Sequence, residues 1–339
     1  MSCVTAKHRW RLTQGNKVKQ SILPALASFG IALSSALTAT EYPDKPVRVL
    51  VPTLAGSTPD VVARAVAPGL GVRLGNRFII DNRGGANGLI GTELAARATP
   101  DGHTLLLGTT ATLTVMRHLH KEVPFDALKD FVPIGLVSVR PYLVVVNPSL
   151  PARTLGELLA LAKARRGGLI YASAGRGSAT HLAMEFFASV TGIKLRHVPY
   201  KNSPQAVAAI VGSRVEASML SIRDAYGHVL AQRLRALATT SSRRSPQLPQ
   251  VPTAAESGLN GFEAITWFAL LAPAGTPRSI VERLNTALGE VVVTPEVRAR
   301  FVREGVEPAD ADAAVLRRLI KRDIEFYGNL TRLSGVKVN

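Results

Sequence analysis

Two short loops rich in glycine and hydroxyl-bearing residues carry the groups best suited to hold an anion. The first loop, 52–60, provides Thr53, Ala55, Gly56, Ser57, Thr58 and Asp60. The second loop, 173–181, provides Ser173, Gly175, Gly177, Ser178 and His181. Each leads into a predicted helix, where free backbone amides and the helix dipole favour a carboxylate or a phosphate. An ordinary capped helix would explain either loop alone, but together they predict a cleft that holds an acidic small molecule from both sides.

The second loop lacks the motifs of nucleotide-binding proteins and serine hydrolases. Gly175-x-Gly177 is followed by Thr180 where a dinucleotide fingerprint needs a third glycine, and the loop has neither Gly-Lys-Ser/Thr nor Gly-x-Ser-x-Gly. Ser178 and His181 form the one local nucleophile–base candidate, and this pair lacks an orienting acid. The seven histidines are scattered without acidic partners at metal-ligand spacing. We expect a protein that is not an enzyme, with no catalytic residue, no metal site and no cofactor.

Strand-like and helix-like segments alternate from residue 46 onward and place both loops after strands. The predicted strands are 47–51, 78–80, 104–107, 142–146, 169–172, 234–239 and 268–271, and a further segment, 195–199, is left without an assigned type. The predicted helices are 59–74, a helix after the glycine-rich loop 84–88 that ends at 98, 155–164, a loop and helix over 173–191, 204–211, 278–292 and 313–333. This alternation predicts parallel α/β architecture with sites at the C-terminal ends of strands. Because the chain enters a second α/β unit and then returns, we expect two lobes with a cleft between them.

The composition of this 339-residue chain limits the classes of partner that we expect it to bind. Hydrophobic residues make up 46% and charged residues 19%, which is typical of a globular protein large enough to bury a core. Lys and Arg total 41 against 24 Asp and Glu, and the resulting net charge of +17 favours anionic partners. Aromatic residues are only 5%, and no basic patch is interleaved with them, so we expect no nucleic acid partner.

The first 36 residues have the three parts of a secretory signal. Basic residues come first, an apolar run extends from Ile22 to Leu37, and the small residues Ser34-Ser35-Ala36 close it. The run is short for a bilayer span, which favours a signal cleaved after Ala36 over an uncleaved anchor. The single cysteine, Cys3, would leave with this segment, so the mature chain would have neither disulfides nor thiol chemistry. We therefore expect an exported protein.

A series of ordered blocks resembles one known family of receptors. The blocks are Tyr42-Pro43-Asp44-Lys45-Pro46-Val47-Arg48, Asp81-Asn82-Arg83-Gly84-Gly85-Ala86, Pro100-Asp101-Gly102-His103-Thr104-Leu105-Leu106, Ser173-Ala174-Gly175-Arg176-Gly177-Ser178, His197-Val198-Pro199-Tyr200-Lys201 and Ala272-Pro273-Ala274-Gly275-Thr276-Pro277. In this order they are similar to the Bug proteins, the TctC-like extracytoplasmic solute receptors of tripartite tricarboxylate transporters. The resemblance extends over roughly residues 41 to 335.

The resemblance implies a two-lobed α/β periplasmic binding protein of the type II-like class, with its ligand cleft between the lobes. The first lobe would be 41–140 with 268–339, the second would be 141–267, and 1–36 would be the cleaved signal peptide. Closure would bend the strands near 139–146 and 266–271. The ligand would be a small carboxylate: a di- or tricarboxylate, an acidic amino acid or an aromatic acid. In such receptors the two loops hold a carboxylate by backbone amides and hydroxyls, and further cleft residues would be Thr109, Thr110, Asn202, Ser203 and Ser221.

The resemblance also implies where the protein works and with what. It would act in the periplasm as a monomer and deliver its ligand to transporter subunits in the cytoplasmic membrane. An alternative is a sensor subunit that presents the ligand to a two-component signalling system.

The sequence departs from the family pattern in the first loop. Family members usually read Pro-Phe-Pro-Pro-Gly-Gly, whereas residues 52–57 read Pro-Thr-Leu-Ala-Gly-Ser. An aromatic residue, two prolines and one glycine of the family pattern are absent, so the loop stiffness and water-mediated carboxylate contact of the family do not carry over to this chain. Arg223 would lie close enough to the cleft to pair with a second carboxylate, although a surface position is an equal expectation.

Overall fold

The computed structural model describes residues 42–309 and 312–334. The predicted signal segment, 1–36, lies outside these residues. Within the described ranges, no helix combines the length and apolar character needed to cross a lipid bilayer.

The first part of the chain forms parallel strands joined by helices. β1 (Val47–Val51) is apolar almost throughout, which is typical of a strand covered by helices on both faces. α1 (Thr58–Leu74) ends at Gly75, whose left-handed backbone (φ 77°) lets its amide bond to Gly71 O. The elements that follow are β2 (Phe78–Asn82), α2 (Leu89–Ala96), β3 (Thr104–Thr109), a π-helical turn (Ala111–Val115) and α3 (Met116–Leu119).

One long strand, β4 (Phe131–Val146), then leads into the second α/β unit. That unit contains α4 (Leu155–Ala164), β5 (Leu169–Ser173), α5 (Ala179–Thr191), β6 (Leu195–Pro199), α6 (Ser203–Val211), β7 (Ala217–Ser221), α7 (Ile222–Leu230) and β8 (Arg235–Thr239). The chain returns through β9 (Ile265–Pro273), α8 (Arg278–Val292), α9 (Pro295–Arg303), β10 (Glu307–Pro308) and α10 (Ala313–Ser334).

The strands are hydrogen-bonded in the order β2-β1-β3-β9-β4-β7-β5-β6, with β8 and β10 also pairing with β4. β4 belongs to both halves of the molecule. Its residues 131–141 pair with β9, whereas its residues 142–146 pair with β7 on one side and β8 on the other. The two lobes are therefore continuous along β4, and the site between them lies next to this strand and β9.

Helices cover both faces of the sheet in each lobe. In the first lobe, α1, α8 and α9 pack on one face, and α2 and α10 pack on the other. In the second lobe, α4 and α5 cover one face, and α6 and α7 cover the other. Each lobe thus has its own apolar cores.

The structure confirms the two-lobed α/β fold and corrects several local predictions. The sheet is not purely parallel, because β4 and β9 run antiparallel to each other and to their other neighbours. The strand predicted at 142–146 is only the end of β4, and the helix predicted to end at 98 ends at Ala96. Sequence patterns missed β7, α7 and α9. β7 reads Ala-Ser-Met-Leu-Ser, which has no β-branched or aromatic residue to indicate a strand.

The residue boundaries of the two lobes, 41–140 with 268–339 and 141–267, stay a prediction.

Candidate functional site

A cavity of about 380 Å³ lies between the two lobes, beside the strands that join them. The first lobe contributes residues from the first loop, the end of β3 and the π-helical turn. The second lobe contributes the start of α5, and the C-terminal half of α10 closes one wall. The lining residues that carry the argument are Thr53, Thr109, Thr110, Arg140, Tyr142, Gly177, Phe186, Glu263, Thr266, Phe268, Arg322, Asp323, Phe326 and Tyr327.

Four predicted cleft residues line this cavity: Thr53, Thr109, Thr110 and Gly177. The other predicted residues are not part of its wall. These are Ala55, Gly56, Ser57, Thr58, Asp60, Ser173, Gly175, Ser178, His181, Asn202, Ser203 and Ser221. Their role in binding remains a prediction.

The first loop is held together mainly by its own polar groups. Ser57 Oγ lies 2.7 Å from Thr53 Oγ1 and donates to Leu54 O, so Ser57 occupies the N-cap position of α1 without a capping side-chain hydrogen bond. Asp60 accepts from the Gly56 amide (2.8 Å) and from Arg64 Nε (2.9 Å). Burial raises the pKa of Asp60, but these hydrogen bonds outweigh it and hold the pKa below its usual value. The negative charge of Asp60 is thus already paired with the Gly56 amide and the Arg64 side chain.

The second loop is stabilised by a denser set of contacts. The amides of Ala174, Gly175 and Gly177 donate to Thr180 Oγ1, Ser173 Oγ and His181 Nδ1, at 3.0, 3.1 and 3.0 Å. The Ser178 amide donates to Gly175 O, and Ser178 Oγ caps α5 by accepting from the His181 amide. In this conformation these amides are engaged within the loop. The family resemblance implies that these amides donate to a carboxylate. Because they are already paired here, they are less available to do so.

Three stacked rings lie beneath the second loop. The His181 and His197 ring centroids are 4.0 Å apart, and Tyr171 lies 4.8 Å from His197 on the other side. Burial, assisted by the nearby Arg176, lowers the pKa of His181 to about 4. Burial and the charge of His181 likewise lower the pKa of His197 to about 4. Both rings are therefore neutral at pH 7, and a neutral His181 can accept the Gly177 amide hydrogen at Nδ1.

The predicted Ser178–His181 pair does not have the geometry of a nucleophile and its base. Ser178 Oγ accepts from a backbone amide, while the His181 ring faces the Gly177 amide. A serine–histidine contact does occur between Ser173 Oγ and His197 Nε2, at 2.6 Å, but Ser173 is fully buried and is not part of the cavity wall. Both contacts therefore stabilise the loop, and Ser173 has no exposed surface.

The remaining predicted residues have structural partners. Asn202 caps α6 through the Gln205 amide (3.0 Å), and Ser221 caps α7 through the Asp224 amide (3.2 Å). Ser203 is the first residue of α6. Thr110 Oγ1 accepts from the Trp267 amide (2.9 Å) and so fixes the end of β3 against β9. The exposed Arg223 pairs with Glu304 at 2.8 Å.

One charged residue of the cavity wall, Arg140, was not predicted from the sequence. It is the single charged residue of β4, within an otherwise apolar strand, and this isolation is the signal that could have identified it. The contribution of α10 was not predicted either, because Arg322, Asp323, Phe326 and Tyr327 reach the cavity only through tertiary packing. Within the described ranges, no cluster of three His, Cys, Asp or Glu side chains is arranged to hold a metal ion.

Comparison with known proteins shows the same similarity over almost all of the chain. Residues 62–335 match the model of the tripartite tricarboxylate transporter family receptor. The curated relatives include Protein BugT of Bordetella pertussis, which is 36% identical over 92% of this chain and 98% of its own. They also include a protein from the tcbD-tcbE intergenic region of Pseudomonas sp. strain P51, 37% identical over 90% of this chain and 92% of its own.

Solved structures also resemble the chain in three dimensions. A TctC solute-binding protein from Polaromonas has a TM-score of 0.77 at 30% identity and covers 86% of this chain and 99% of its own. An R. palustris protein solved with adipate has a TM-score of 0.71 at 30% identity, covering 87% and 99%. The R. palustris protein MatC, solved with malate, has a TM-score of 0.66 at 30% identity, covering 85% and 99%.

Proposed function

This chain belongs to the tripartite tricarboxylate transporter receptor family, and we propose that it captures a small carboxylate in the cavity between its lobes. The observation that supports this most strongly is the cavity itself. It lies beside β4 and β9, the strands that join the lobes, and its wall combines residues of both lobes. A ligand held there contacts both lobes at once, so binding favours the closed arrangement of a hinged receptor. Adipate and malate in two similar structures support a carboxylate as the ligand class.

The proposed cycle involves binding and release without a chemical step. The receptor is exported by its N-terminal signal, acts as a monomer in the periplasm, and passes the ligand to transporter subunits in the cytoplasmic membrane. Presentation of the ligand to a sensor kinase would use the same cavity and differs only in the partner. Measuring ligand uptake in cells from which this protein is deleted distinguishes the two roles. Uptake is lost if the protein is a transport receptor and is retained if it is a sensor subunit.

Calorimetry on the exported protein tests the binding function. The full chain is expressed, and the protein is purified from the periplasmic fraction and freed of bound ligand by partial unfolding and refolding. It is then titrated with adipate, malate, glutamate and benzoate. We expect at least one of these to bind, and a ligand present at 100 times its Kd to stabilise the fold by about 2.7 kcal/mol. If none of these four carboxylates binds, the proposal is wrong.

Two adjacent substitutions make a matched control for the location. Thr53 lies on the cavity wall, and Thr53→Trp places a large ring in the cavity. Leu54 is the next residue, is 77% exposed and is not part of the wall. Leu54→Trp is therefore expected to bind as the unaltered chain does, whereas Thr53→Trp weakens binding at least tenfold. Equal binding by both variants would place the ligand elsewhere.

A further inference from the structure

The guanidinium of Arg140 has few partners for a charge that faces a cavity. Its Nη1 makes a long 3.4 Å contact with Thr58 Oγ1. Its Nε is buried, and no described group accepts the hydrogen. Within residues 42–309 and 312–334, no acidic side chain is recorded in an ion pair with it. A buried donor without an acceptor is costly, and arginine cannot relieve the cost by losing its proton.

The surroundings of Arg140 strengthen its attraction for an anion. Its Cζ lies 5.7 Å from the Tyr142 ring centroid and 6.0 Å from that of Phe268, so aromatic faces orient the guanidinium. Thr58 belongs to the first turn of α1, whose N-terminal amides add a positive potential. The nearby acid, Asp60, is already engaged by Arg64 and Gly56. One carboxylate can therefore complete the hydrogen bonding at this position.

The other charges of the cavity do not offer a second site of this kind. Arg322 donates from both Nε (3.0 Å) and Nη2 (2.8 Å) to Asp323 Oδ1, and Asp323 Oδ2 accepts from Trp267 Nε1 (2.7 Å). This arginine is thus neutralised by a buried acid. Glu263 also lines the cavity, and desolvation raises its pKa. A second carboxylate near these groups would meet two acidic side chains and one arginine that is already paired.

Threonine side chains line part of the remaining wall, and an apolar face with several aromatic rings, formed chiefly by α5 and α10, lines another part. Phe326 meets Phe186 edge-to-face at 4.5 Å and Tyr327 at 5.0 Å, so rings from α5 and α10 form one continuous surface. The wall also includes the apolar residues Val115, Ala179, Leu182, Ala183 and Ile265. Aromatic surfaces of this kind favour a flat ring over a chain of hydroxyl or carboxyl groups, because edge-to-face contacts and apolar burial both contribute.

We propose that this receptor selects an aromatic monocarboxylate, with its carboxylate on Arg140 and its ring against the aromatic wall formed by α5 and α10. The inference rests on the proposed function, since it names the ligand class of the same cavity. It assigns the main contact with the carboxylate to Arg140, which lies in neither the first nor the second loop.

Two ligands that differ by one carboxylate test the selectivity. Benzoate and terephthalate share a ring, and terephthalate has a second carboxylate opposite the first. By calorimetry on the exported protein, benzoate is expected to bind at least tenfold more tightly than terephthalate, adipate or malate. If a dicarboxylate binds as tightly as benzoate, the inference is wrong and the proposed function stands. If no carboxylate binds, both are wrong.

Three variants test the role of Arg140. Arg140→Gln removes the charge and is expected to weaken benzoate binding about 10- to 100-fold, while Arg140→Lys keeps the charge and recovers part of the affinity. Arg196→Gln is the matched control, because Arg196 is exposed and is not part of the cavity wall. Circular dichroism establishes that each variant is folded. Benzoate binding by a folded Arg140→Gln protein at the affinity of the control would overturn the assignment.

Discussion

The two loops that border the cavity are similar in composition but differ in how they are held. The second loop, 173–181, pairs its own amides and rests on the stacked rings of His181, His197 and Tyr171. The first loop, 52–60, is fixed chiefly by Asp60 and by the contact between Thr53 and Ser57, and its Leu54 is 77% exposed. Loops of similar glycine and hydroxyl content can therefore be either rigid or adaptable. What lies beneath the loop decides which of the two it is.

This difference suggests a division of work between the lobes. A loop whose polar groups are satisfied and whose underside is packed changes little when a ligand arrives, so it can act as a fixed surface. A loop with few buried contacts can adjust to different ligands at a small cost in free energy. The departure of residues 52–57 from the family pattern falls in the adaptable loop, which is where an altered ligand preference is least costly to the fold.

The largest expected effect comes from removing an outer ring of the stack beneath the second loop, His181, which also accepts the Gly177 amide. His181→Ala deletes a buried side chain and leaves the Gly177 amide without its acceptor, so we expect the free energy of unfolding to fall by about 3 kcal/mol. Leu54→Ala, in the first loop, is expected to change it by less than about 0.5 kcal/mol. Urea unfolding of both variants measures the contrast. Equal losses would mean that the loops are held alike.

A second effect follows from the neutral histidines. The pKa of His181 and of His197 is about 4 in the folded protein, against 6.5 for an unperturbed histidine. Between these values the unfolded chain binds more protons, so the stability that is fully present above about pH 6.5 is lost as the pH falls toward 4. For His181 alone the loss at pH 5 is on the order of 2 kcal/mol.

The pH effect is measured by thermal unfolding between pH 7.0 and 5.0. His181→Gln can still accept the Gly177 amide through its side-chain oxygen and cannot titrate, so its Tm should depend less on pH than that of the unaltered chain. His103 lies far along the chain from this stack, and His103→Gln is a histidine control that should retain most of the dependence. Identical profiles for the unaltered chain and His181→Gln would contradict the burial of a neutral ring.

The smallest effect is expected at the acid that fixes the first loop. Asp60→Asn keeps an acceptor for the Gly56 amide but removes the charge that pairs with Arg64, whose side chain is partly exposed. We expect a loss of about 1 kcal/mol, because exposure weakens the ion pair. Urea unfolding and hydrogen exchange at residues 54–57 measure it. A loss as large as that of His181→Ala would show that the first loop is no less rigidly held than the second.

Local patterns predicted the elements well, but not the full wall of the cavity. The helix at 155–164 and the strand at 47–51 have the predicted bounds, because their apolar spacing and flanking turn residues lie within a few positions of one another. Arg140 was not predicted: its isolation in an apolar strand marks it as unusual, but that pattern alone does not say what the side chain faces. The residues of α10 reach the cavity only because the chain returns to the first lobe, and no spacing within the helix indicates that contact.

A crystal structure of the exported protein grown with benzoate tests the central claim most directly. The account predicts benzoate between the lobes, with a carboxylate oxygen within about 3 Å of an Arg140 nitrogen and the ring against Phe186 or Phe326. A carboxylate bound by the amides of the second loop, with Arg140 turned away from it, would contradict the assigned contact. A ligand outside the cavity would contradict the proposed function itself.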